Sequence, residues 1–314
     1  MKRALALALF VTAVLSVSIV LTKPKTINSR TSNHRWVKAI DTGVKTWPRW
    51  VFPITGPKGI VMIAEEATWF SNDGTAWTTT AHNAREAIRP GTSQIFFKDR
   101  FWLMGGMNDW SDFTNEIWSS PDAINWTLET NHAPWPSRRN ALLVEFQDKL
   151  WLLSGWETSG KKNVTPLRSY RDAWQSTDGR VWTKLPVELP NSDQKLVVFD
   201  NQMWLLGKAG AWHSSDGLKW QEAVTGAPFI DRWAYGAVVY DNRIWLFGGI
   251  YRDQTTNEVW STPDGIKWRC ENNAPWFPRD GEYSITFDGK LWIYGGKTGS
   301  HYKQADDVWY LMGS

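Results

Sequence analysis

One sequence unit recurs along this chain and limits what the chain can fold into. Residues 232–268 show it in full: an alternating apolar run ends at Asp241-Asn242, a second run ends at Gly248-Gly249, and a variable loop leads to Trp260 and Trp268. Asp-Asn and Asp-Gly pairs favour the tight turns of β-hairpins, because both residues accept a positive φ. We therefore predict four short antiparallel strands per unit.

The spacing of the units indicates how they are arranged. Aligned on the second apolar run, they follow one another at intervals of 41, 49, 53, 41 and 47 residues. Such intervals fit the blades of a β-propeller better than the repeats of a helical solenoid. The sequence thus predicts an all-β fold, a six-bladed β-propeller of four-stranded antiparallel blades. The aligned positions are Val61, Trp102, Trp151, Trp204, Trp245 and Trp292.

The two ends of the chain together supply one unit. Residues 280–312 contain two apolar runs and Trp309, but no closing Asp-Gly-x-x-Trp follows them. Residues 36–40 have the pattern of the missing outer strand, and the segment 47–49 after them resembles the segment 276–279 that follows another outer strand. We therefore expect the N-terminal strand to close the last blade.

Tryptophan is the most unusual feature of the composition, with 24 residues in a chain of 314. Large aromatic side chains fill the wedge between radially arranged sheets and dominate burial energetics, so we assign the recurrent tryptophans to packing and give them no chemistry. The second strands carry Trp102, Trp151, Trp204, Trp245 and Trp292; the third carry Trp69, Trp118, Trp174, Trp212, Trp260 and Trp309; the fourth carry Trp36, Trp77, Trp126, Trp182, Trp220 and Trp268.

The double glycines point to a known family. With the aromatic and Trp positions that follow them, they make residues 35–314 resemble the secreted, bacterial type of kelch-repeat β-propeller, in the superfamily that includes galactose oxidase. The resemblance implies a closed ring without exposed sheet edges, with the N-terminal strand as its latch. Trp stands here where the family more often has Tyr. The matching pairs are Gly105-Gly106, Gly248-Gly249 and Gly295-Gly296, and the departures are Ala64-Glu65, Ser154-Gly155 and Gly207-Lys208.

The first 21 residues read as a targeting segment. Lys2 and Arg3 precede an apolar run over residues 4–20, with small residues at 16–18 where cleavage could occur, which is the layout of a signal peptide. The run is also just long enough for a membrane helix, which leaves a signal anchor as the alternative. We expect a linker over 22–34 and a secreted or periplasmic propeller, or else a membrane-anchored propeller outside the cytoplasm.

Charge and cysteine content narrow the classes of partner. Cleavage would remove Lys2 and Arg3 and lower the formal net charge from +3 to +1, a balance that implies no general affinity for nucleic acid or anionic membranes. The single cysteine, Cys270, cannot form an intramolecular disulfide or a thiolate metal site. We expect a monomer without metal or cofactor, which contacts a membrane only through an uncleaved anchor.

The long loops predict which face carries function. Loops after the second and fourth strands of a meander emerge on one face, and the long, variable ones lie there in blades two, three, five and six. Variable loops on a rigid scaffold are where function usually resides. Near this face an arginine begins most innermost strands, and such a ring suits an anion, unless each arginine pairs with an acid of a neighbouring blade, such as Asp231, Asp280 or Asp307. These arginines are Arg49, Arg89, Arg138, Arg232 and Arg279.

Aromatic side chains in the same loops form the second set of candidates. An aromatic plane beside hydrogen-bonding groups suits a sugar ring, and it equally suits a protein partner. Aromatics in Ala-Pro-Trp contexts are instead expected to pack against the blade ends. Within the unit at 232–268, Arg232 and the loop 250–257 remain as candidates for function. The loop aromatics are Trp110, Trp156, Tyr251 and Tyr302.

Enzymatic alternatives have weaker support. The Ser-x-Asp-Gly-x-x-Trp turns resemble sialidase Asp-boxes but are one residue short, and Cys270 lies too far from the channel for the crosslink of galactose oxidase. A sialic acid epimerase or a lyase would need an acid or base near the channel, for which Glu145, Glu157 and Asp109 are candidates. The function predicted first is a non-catalytic scaffold that binds an anionic or carbohydrate ligand, or a protein, through the loop-rich face. The alternative is a carbohydrate-active enzyme at the channel mouth.

Overall fold

A computed structural model describes residues 34–39, 47, 52–83, 86–109, 112–158, 167–190, 194–207, 210–225, 227, 231–299 and 303–313. Throughout these ranges the regular elements are β-strands, and none is an α-helix. The same ranges accordingly contain no helix long and apolar enough to span a membrane. Candidate residues Arg49, Trp110 and Tyr302 lie outside the described part of the chain.

The described residues form six antiparallel sheets of four strands, which we number in chain order. Sheet 1 contains Pro53–Gly56, Gly59–Ile63, Ala67–Ser71 and Thr78–Ala81; sheet 2 contains Ser93–Phe97, Arg100–Met104, Ile117–Ser120 and Thr127–Thr130; sheet 3 contains Leu142–Phe146, Lys149–Leu153, Ala173–Ser176 and Thr183–Lys184. Sheet 4 contains Gln194–Phe199, Gln202–Gly207, Gly210–Ser214 and Gln221–Thr225; sheet 5 contains Gly236–Tyr240, Arg243–Phe247, Glu258–Thr262 and Arg269–Asn273; sheet 6 contains Tyr283–Phe287, Lys290–Tyr294, Val308–Met312 and Arg35–Ala39.

The outer strand of sheet 6 comes from the opposite end of the chain, as the sequence predicted. Arg35–Ala39 runs antiparallel to Val308–Met312, with Trp36 opposite Leu311 and Lys38 opposite Trp309. The ring of Trp36 also packs edge-on against Trp276, with 4.5 Å between centroids. The N-terminal strand therefore completes the sheet through backbone pairing and aromatic packing.

The core is distributed between the sheets. Each of six buried apolar clusters joins two consecutive sheets, and one of them joins sheet 6 back to sheet 1. The first strands of the sheets also contact one another in this cyclic order. Hydrophobic side chains on both faces of each sheet are thus removed from water, which explains why the sequence needs so many large aromatics.

The tryptophans of the second strands are buried between the sheets, and each satisfies its only polar atom locally. The indole N–H of Trp102 donates to the carbonyl of Phe97, and that of Trp245 to the carbonyl of Tyr240, at 3.1 and 3.0 Å. The same bond recurs in Trp151, Trp204 and Trp292. A buried indole N–H without a partner would cost free energy, so these bonds support the assignment of the tryptophans to packing.

The Asp-Gly turns between third and fourth strands are structural. In sheet 4, the Asp216 carboxylate accepts the backbone N–H groups of Leu218 and Lys219 at 2.8 Å, and Ser214 Oγ accepts the N–H of Gly217. The backbone N–H bonds from Lys219 and Leu218 stabilise the ionised carboxylate and so lower the pKa of Asp216. We call the face that carries these turns and the hairpin turns between first and second strands the short-turn face.

Candidate functional site

The opposite, loop-rich face carries small hairpins after the second strands of four sheets. Residues Met107–Asp109 pair with Asp112–Phe113 in sheet 2, and Trp156–Thr158 pair with Leu167–Ser169 in sheet 3. In sheets 5 and 6 the hairpin also pairs with the strand that leads into the sheet. These three-stranded units are Arg232–Trp233 with Ile250–Tyr251 and Gln254–Thr255, and Arg279–Asp280 with Lys297–Thr298 and Lys303–Gln304.

A groove of about 530 Å³ lies between the hairpins of sheets 5 and 6. Phe277 stands in its wall with 80% of its surface exposed. The remaining lining combines apolar Ile250 and Pro278 with polar side chains. One wall is a hairpin whose turn holds Arg252 and Asp253 at positive φ, and the other is the connection to sheet 6 with the hairpin tip beyond it. Its lining residues are Ile250, Asp253, Gln254, Thr255, Phe277, Pro278, Thr298 and Gly299.

Backbone hydrogen bonds join the two walls of the groove. The N–H of Gly249 donates to the carbonyl of Arg279 at 2.9 Å, and the N–H of Arg279 donates to the carbonyl of Thr256 at 3.2 Å. Gly248 and Gly249 have φ of 62° and 86°, a region that glycine enters without steric cost. The second double glycine therefore lets the hairpin of sheet 5 turn back onto the strand that enters sheet 6.

The four described arginines of the predicted ring are all paired. Each guanidinium contacts the acid just before or at the start of the third strand of its own sheet, and each acid also accepts the indole N–H of the Trp two residues later. The ion pairs, with their nearest N···O distances, are Arg89–Glu116 at 2.7 Å, Arg138–Asp172 at 2.6 Å, Arg232–Glu258 at 2.5 Å and Arg279–Asp307 at 2.6 Å. The indole donors are Trp118, Trp174, Trp260 and Trp309.

These ion pairs lie inside the scaffold. Arg138, Arg232 and Arg279 are only 1 to 2% exposed, and each also donates to a backbone carbonyl at the end of the second strand. Burial opposes ionisation of Asp172 and Asp307, but the hydrogen bonds and charge of their arginines outweigh it and lower both pKa values. An anionic ligand would have to displace the carboxylate that each guanidinium already binds, so the geometry gives these arginines a structural role. Asp307 is among the acids that the sequence offered as partners, although it belongs to the same sheet as Arg279.

The described loop aromatics differ from the expected free planes. Trp156 is 7% exposed, because the Arg139 guanidinium covers its ring at 3.6 Å from the centroid. Tyr251 is half-buried, with the guanidinium carbons of Arg232 and Arg252 at 5.7 and 5.1 Å from its ring centroid. The Trp156 ring therefore presents no open face to a sugar. The aromatics of the Ala-Pro-Trp segments, Trp135 and Trp276, are buried as predicted.

Two acids are buried near the groove at the head of sheet 6. Glu282 is fully buried and Asp280 nearly so, and neither oxygen of the Glu282 carboxyl has a hydrogen-bond partner. Burial raises the pKa of Glu282 to about 8, with a further increase from Asp280 that the charges of Arg279 and Lys195 oppose. Burial likewise raises the pKa of Asp280 to about 6, against the effect of Lys297.

Sequence reasoning found part of the groove and missed the rest. Asp253, Gln254 and Thr255 belong to the loop 250–257 that the sequence left as a functional candidate. Phe277 was missed, although a signal was present: Trp276 has the buried position of an Ala-Pro-Trp segment, and successive side chains of an extended segment point in opposite directions. Of the candidate acids, Glu145 and Glu157 are not among the described residues that line this groove, and the side chain of Asp109 lies outside the described part of the chain.

Six sheets packed in cyclic order make this architecture compatible with a β-propeller. Among solved structures, the chain is similar to the one titled "Structure of YjhT", with a TM-score of 0.70 and 12% identity over 86% of this chain and 96% of that chain. At this identity the likeness concerns the fold alone. No protein-family model matches the chain, and no curated protein matches it.

Proposed function

We propose that this chain is a six-bladed, kelch-type propeller outside the cytoplasm that binds a carbohydrate in the groove between sheets 5 and 6. The observation that carries the proposal is the combination of an exposed aromatic ring with hydrogen-bonding groups in one concave surface. Phe277 supplies the ring, and Asp253 and Gln254 supply a carboxylate and an amide within the same lining. Clefts that combine apolar surface with a few polar groups are typical ligand sites.

The chemistry of the groove favours a neutral, hydroxyl-rich ligand over an anion. The carboxylate of Asp253 accepts hydrogen bonds from sugar hydroxyls, while the amide of Gln254 and the hydroxyls of Thr255 and Thr298 both donate and accept them. No Lys or Arg side chain is among the groove's lining residues in the described part of the chain. Among the three ligand classes that the sequence left open, an anion, a carbohydrate and a protein, we therefore propose carbohydrate.

The kelch assignment and the blade count rest on repeated details. All three Gly-Gly pairs that carry the family resemblance have positive φ at both residues, and each ends a second strand before a small hairpin. Every sheet has four strands in the order of a meander, with the sixth completed from the N-terminus. These features support a ring of six blades of the kelch type.

A glycan-binding screen on the full chain tests the proposed function. Phe277→Ala and Asp253→Ala should each weaken binding at least tenfold, because one removes the stacking surface and the other the strongest acceptor. Ile266→Ala is the matched control, since Ile266 is an exposed apolar residue of sheet 5 on the opposite face. A carbohydrate that binds all three variants as tightly as the parent chain would refute the groove as its site.

A carbohydrate-active enzyme remains the second candidate, on the evidence of Asp280. A carboxyl group with a pKa of about 6 is suited to acid or base catalysis near neutral pH. Glu282 is fully buried and could act only through Asp280. Turnover of a sugar that is lost in Asp280→Asn and kept in Phe277→Ala would favour this function over simple binding. Binding without turnover by the parent chain would exclude the enzyme for that sugar.

A further inference from the structure

The side chain of Glu282 is packed against the start of both hairpins that form the walls of the groove. It is fully buried, and neither of its carboxyl oxygens has a hydrogen-bond partner among the described residues. A Cβ on Gly248, where the hairpin of sheet 5 begins, would overlap Oε1 of this carboxyl. A Cβ on Gly296, where the hairpin of sheet 6 begins, would lie 3.2 Å from the Cβ of Glu282. One acidic side chain therefore contacts the root of each wall.

Sheets 2 and 3 repeat the backbone of this region without the acid. The N–H of Gly106 donates to the carbonyl of Arg138 at 2.9 Å, and the N–H of Arg138 donates to the carbonyl of Thr114 at 3.1 Å. These bonds are the counterparts of those that join the two walls of the groove. Ala141 takes the place of Glu282, since each follows the paired arginine of its sheet by three residues. The fold is thus built equally well around an alanine, and the acid has no structural requirement to explain it.

The charges around Glu282 leave its carboxyl neutral at pH 7. Arg279 and Lys195 favour the ionised form, but burial outweighs them and raises the pKa of Glu282 to about 8. Arg279 is also committed to its ion pair with Asp307. An ionised carboxylate in this space would be a buried charge without a hydrogen-bond donor, which is costly. The surrounding charged groups are Arg279 and Asp280 on the same strand, Lys297 on the hairpin of sheet 6, the Arg232–Glu258 pair of sheet 5, and Lys195 of sheet 4.

We propose that Glu282 is a proton-controlled switch of the groove: its neutral form keeps the two hairpins packed together, and its ionisation moves their roots apart and weakens ligand binding. An ionised carboxylate requires water, which has room beside it only when Gly248 or Gly296 moves away. Because each glycine begins one wall, this movement changes the separation of the two walls. A ligand that fits the closed groove then favours the neutral carboxyl, so binding and protonation are linked.

The movement of the walls is measured first, without a ligand. The full chain carries Cys270→Ser, and Gln254→Cys and Lys303→Cys place a spin label on an exposed position of each wall. Double electron–electron resonance at pH 7 and pH 9 gives the distance between the labels. We expect a longer mean distance at pH 9, and the same distance at both pH values when Glu282→Gln is added. Glu282→Ala provides the second variant and should also remove the change.

The counterpart hairpins of sheets 2 and 3 supply the matched control. Asp112→Cys and Arg168→Cys, again with Cys270→Ser, place the labels at the equivalent exposed positions, above Ala141. Their distance should be the same at pH 7 and pH 9. An unchanged distance between the walls of the groove, or an equal change in the control pair or in the Glu282→Gln chain, would overturn the switch.

The effect on binding rests on the proposed function of the groove and is measured separately. The affinity of the chain for the tightest carbohydrate of the glycan screen should fall roughly tenfold from pH 7 to pH 9, since one proton is released over this window. The fall should be absent in Glu282→Gln. It should persist in Asp280→Asn, because burial raises the pKa of Asp280 only to about 6, below the window. A constant affinity in the parent chain, or a fall that persists in Glu282→Gln, would overturn the link. Walls that move in a chain that binds no carbohydrate would support the switch and refute the proposed function.

Discussion

Gly74, in the Asp-Gly turn of sheet 1, lies on the indole ring of Trp292 in sheet 6. A Cβ at position 74 would come within 2.6 Å of Cζ2 of that ring, and the Tyr294 hydroxyl donates to the Gly74 carbonyl at 3.2 Å. The same contact joins successive sheets in the pairs Gly179 and Trp102, Gly217 and Trp151, and Gly265 and Trp204.

Two places in the ring lack this contact, and only the first of them follows from side-chain size. Sheet 1 has Val61 in place of the second-strand Trp, and the turn that follows it in sheet 2 has Ala123 in place of glycine. Trp245 contacts His34 instead of an Asp-Gly turn. The two rings pack edge-on, with 5.0 Å between their centroids. The glycine of the Asp-Gly turn is therefore required by the tryptophan beneath it.

Gly179→Ala should destabilise the fold by about 2 to 4 kcal/mol, because the new Cβ would lie 2.5 Å from the Trp102 ring and φ is 78°. Gly289→Ala is the control: φ is 67°, but no atom lies within 4 Å, so only the backbone strain of about 1 to 2 kcal/mol applies. Urea denaturation of both variants measures the difference. Equal losses would show that conformation alone, and not the tryptophan, selects glycine.

Arg279→Ala should destabilise the protein by about 3 to 5 kcal/mol, because it leaves the largely buried Asp307 carboxylate without its cation. The sequence alone offered a different role for Arg279, as one of a ring of arginines that binds an anion. Arg279→Lys should recover only part of the loss, since an ammonium group cannot form the two-point contact. Thermal unfolding measures each change. A fully stable Arg279→Ala variant that fails to bind ligand would restore the anion site.

Glu282→Gln should remove a pH dependence of stability. The pKa of Glu282 is about 8 in the folded protein and near 4.5 in the unfolded chain, so between these values the unfolded state binds fewer protons. The stability of the parent chain therefore falls as pH rises through this window, by up to about 1.4 kcal/mol per pH unit. The Tm of the variant, measured relative to the Tm of the parent chain, should therefore rise from pH 5 to pH 8. A difference in Tm that is constant with pH would contradict the assigned ionisation.

Removal of residues 1–39 should unfold or aggregate the protein. It exposes the edge of the strand Val308–Met312 and removes the Trp36 ring that packs against Trp276. Removal of residues 1–33 keeps the closing strand and is the matched control. Circular dichroism and size-exclusion chromatography compare the two. A folded monomer after the longer truncation would show that sheet 6 does not depend on the N-terminal strand.

The repeat could be predicted from sequence because it rests on local signals. Turn dipeptides such as Asp241-Asn242, alternating apolar runs and recurrent tryptophans determine strands and their order, and the missing Asp-Gly-x-x-Trp after Trp309 indicated the N-terminal closure. The candidate site was harder to predict because it depends on partners distant in sequence. Arg279 is 28 residues from the acid that occupies it. Exposure also fails to follow residue type, since Trp156 is covered by Arg139 while Phe277 is open.

The location of a bound carbohydrate decides whether the groove between sheets 5 and 6 is the ligand site. A crystal structure of the full chain with the tightest ligand from the glycan screen should show a sugar ring stacked on Phe277, with hydroxyl groups within hydrogen-bonding distance of Asp253 and Gln254. A sugar bound elsewhere, for example on the short-turn face, with the groove empty, would contradict it.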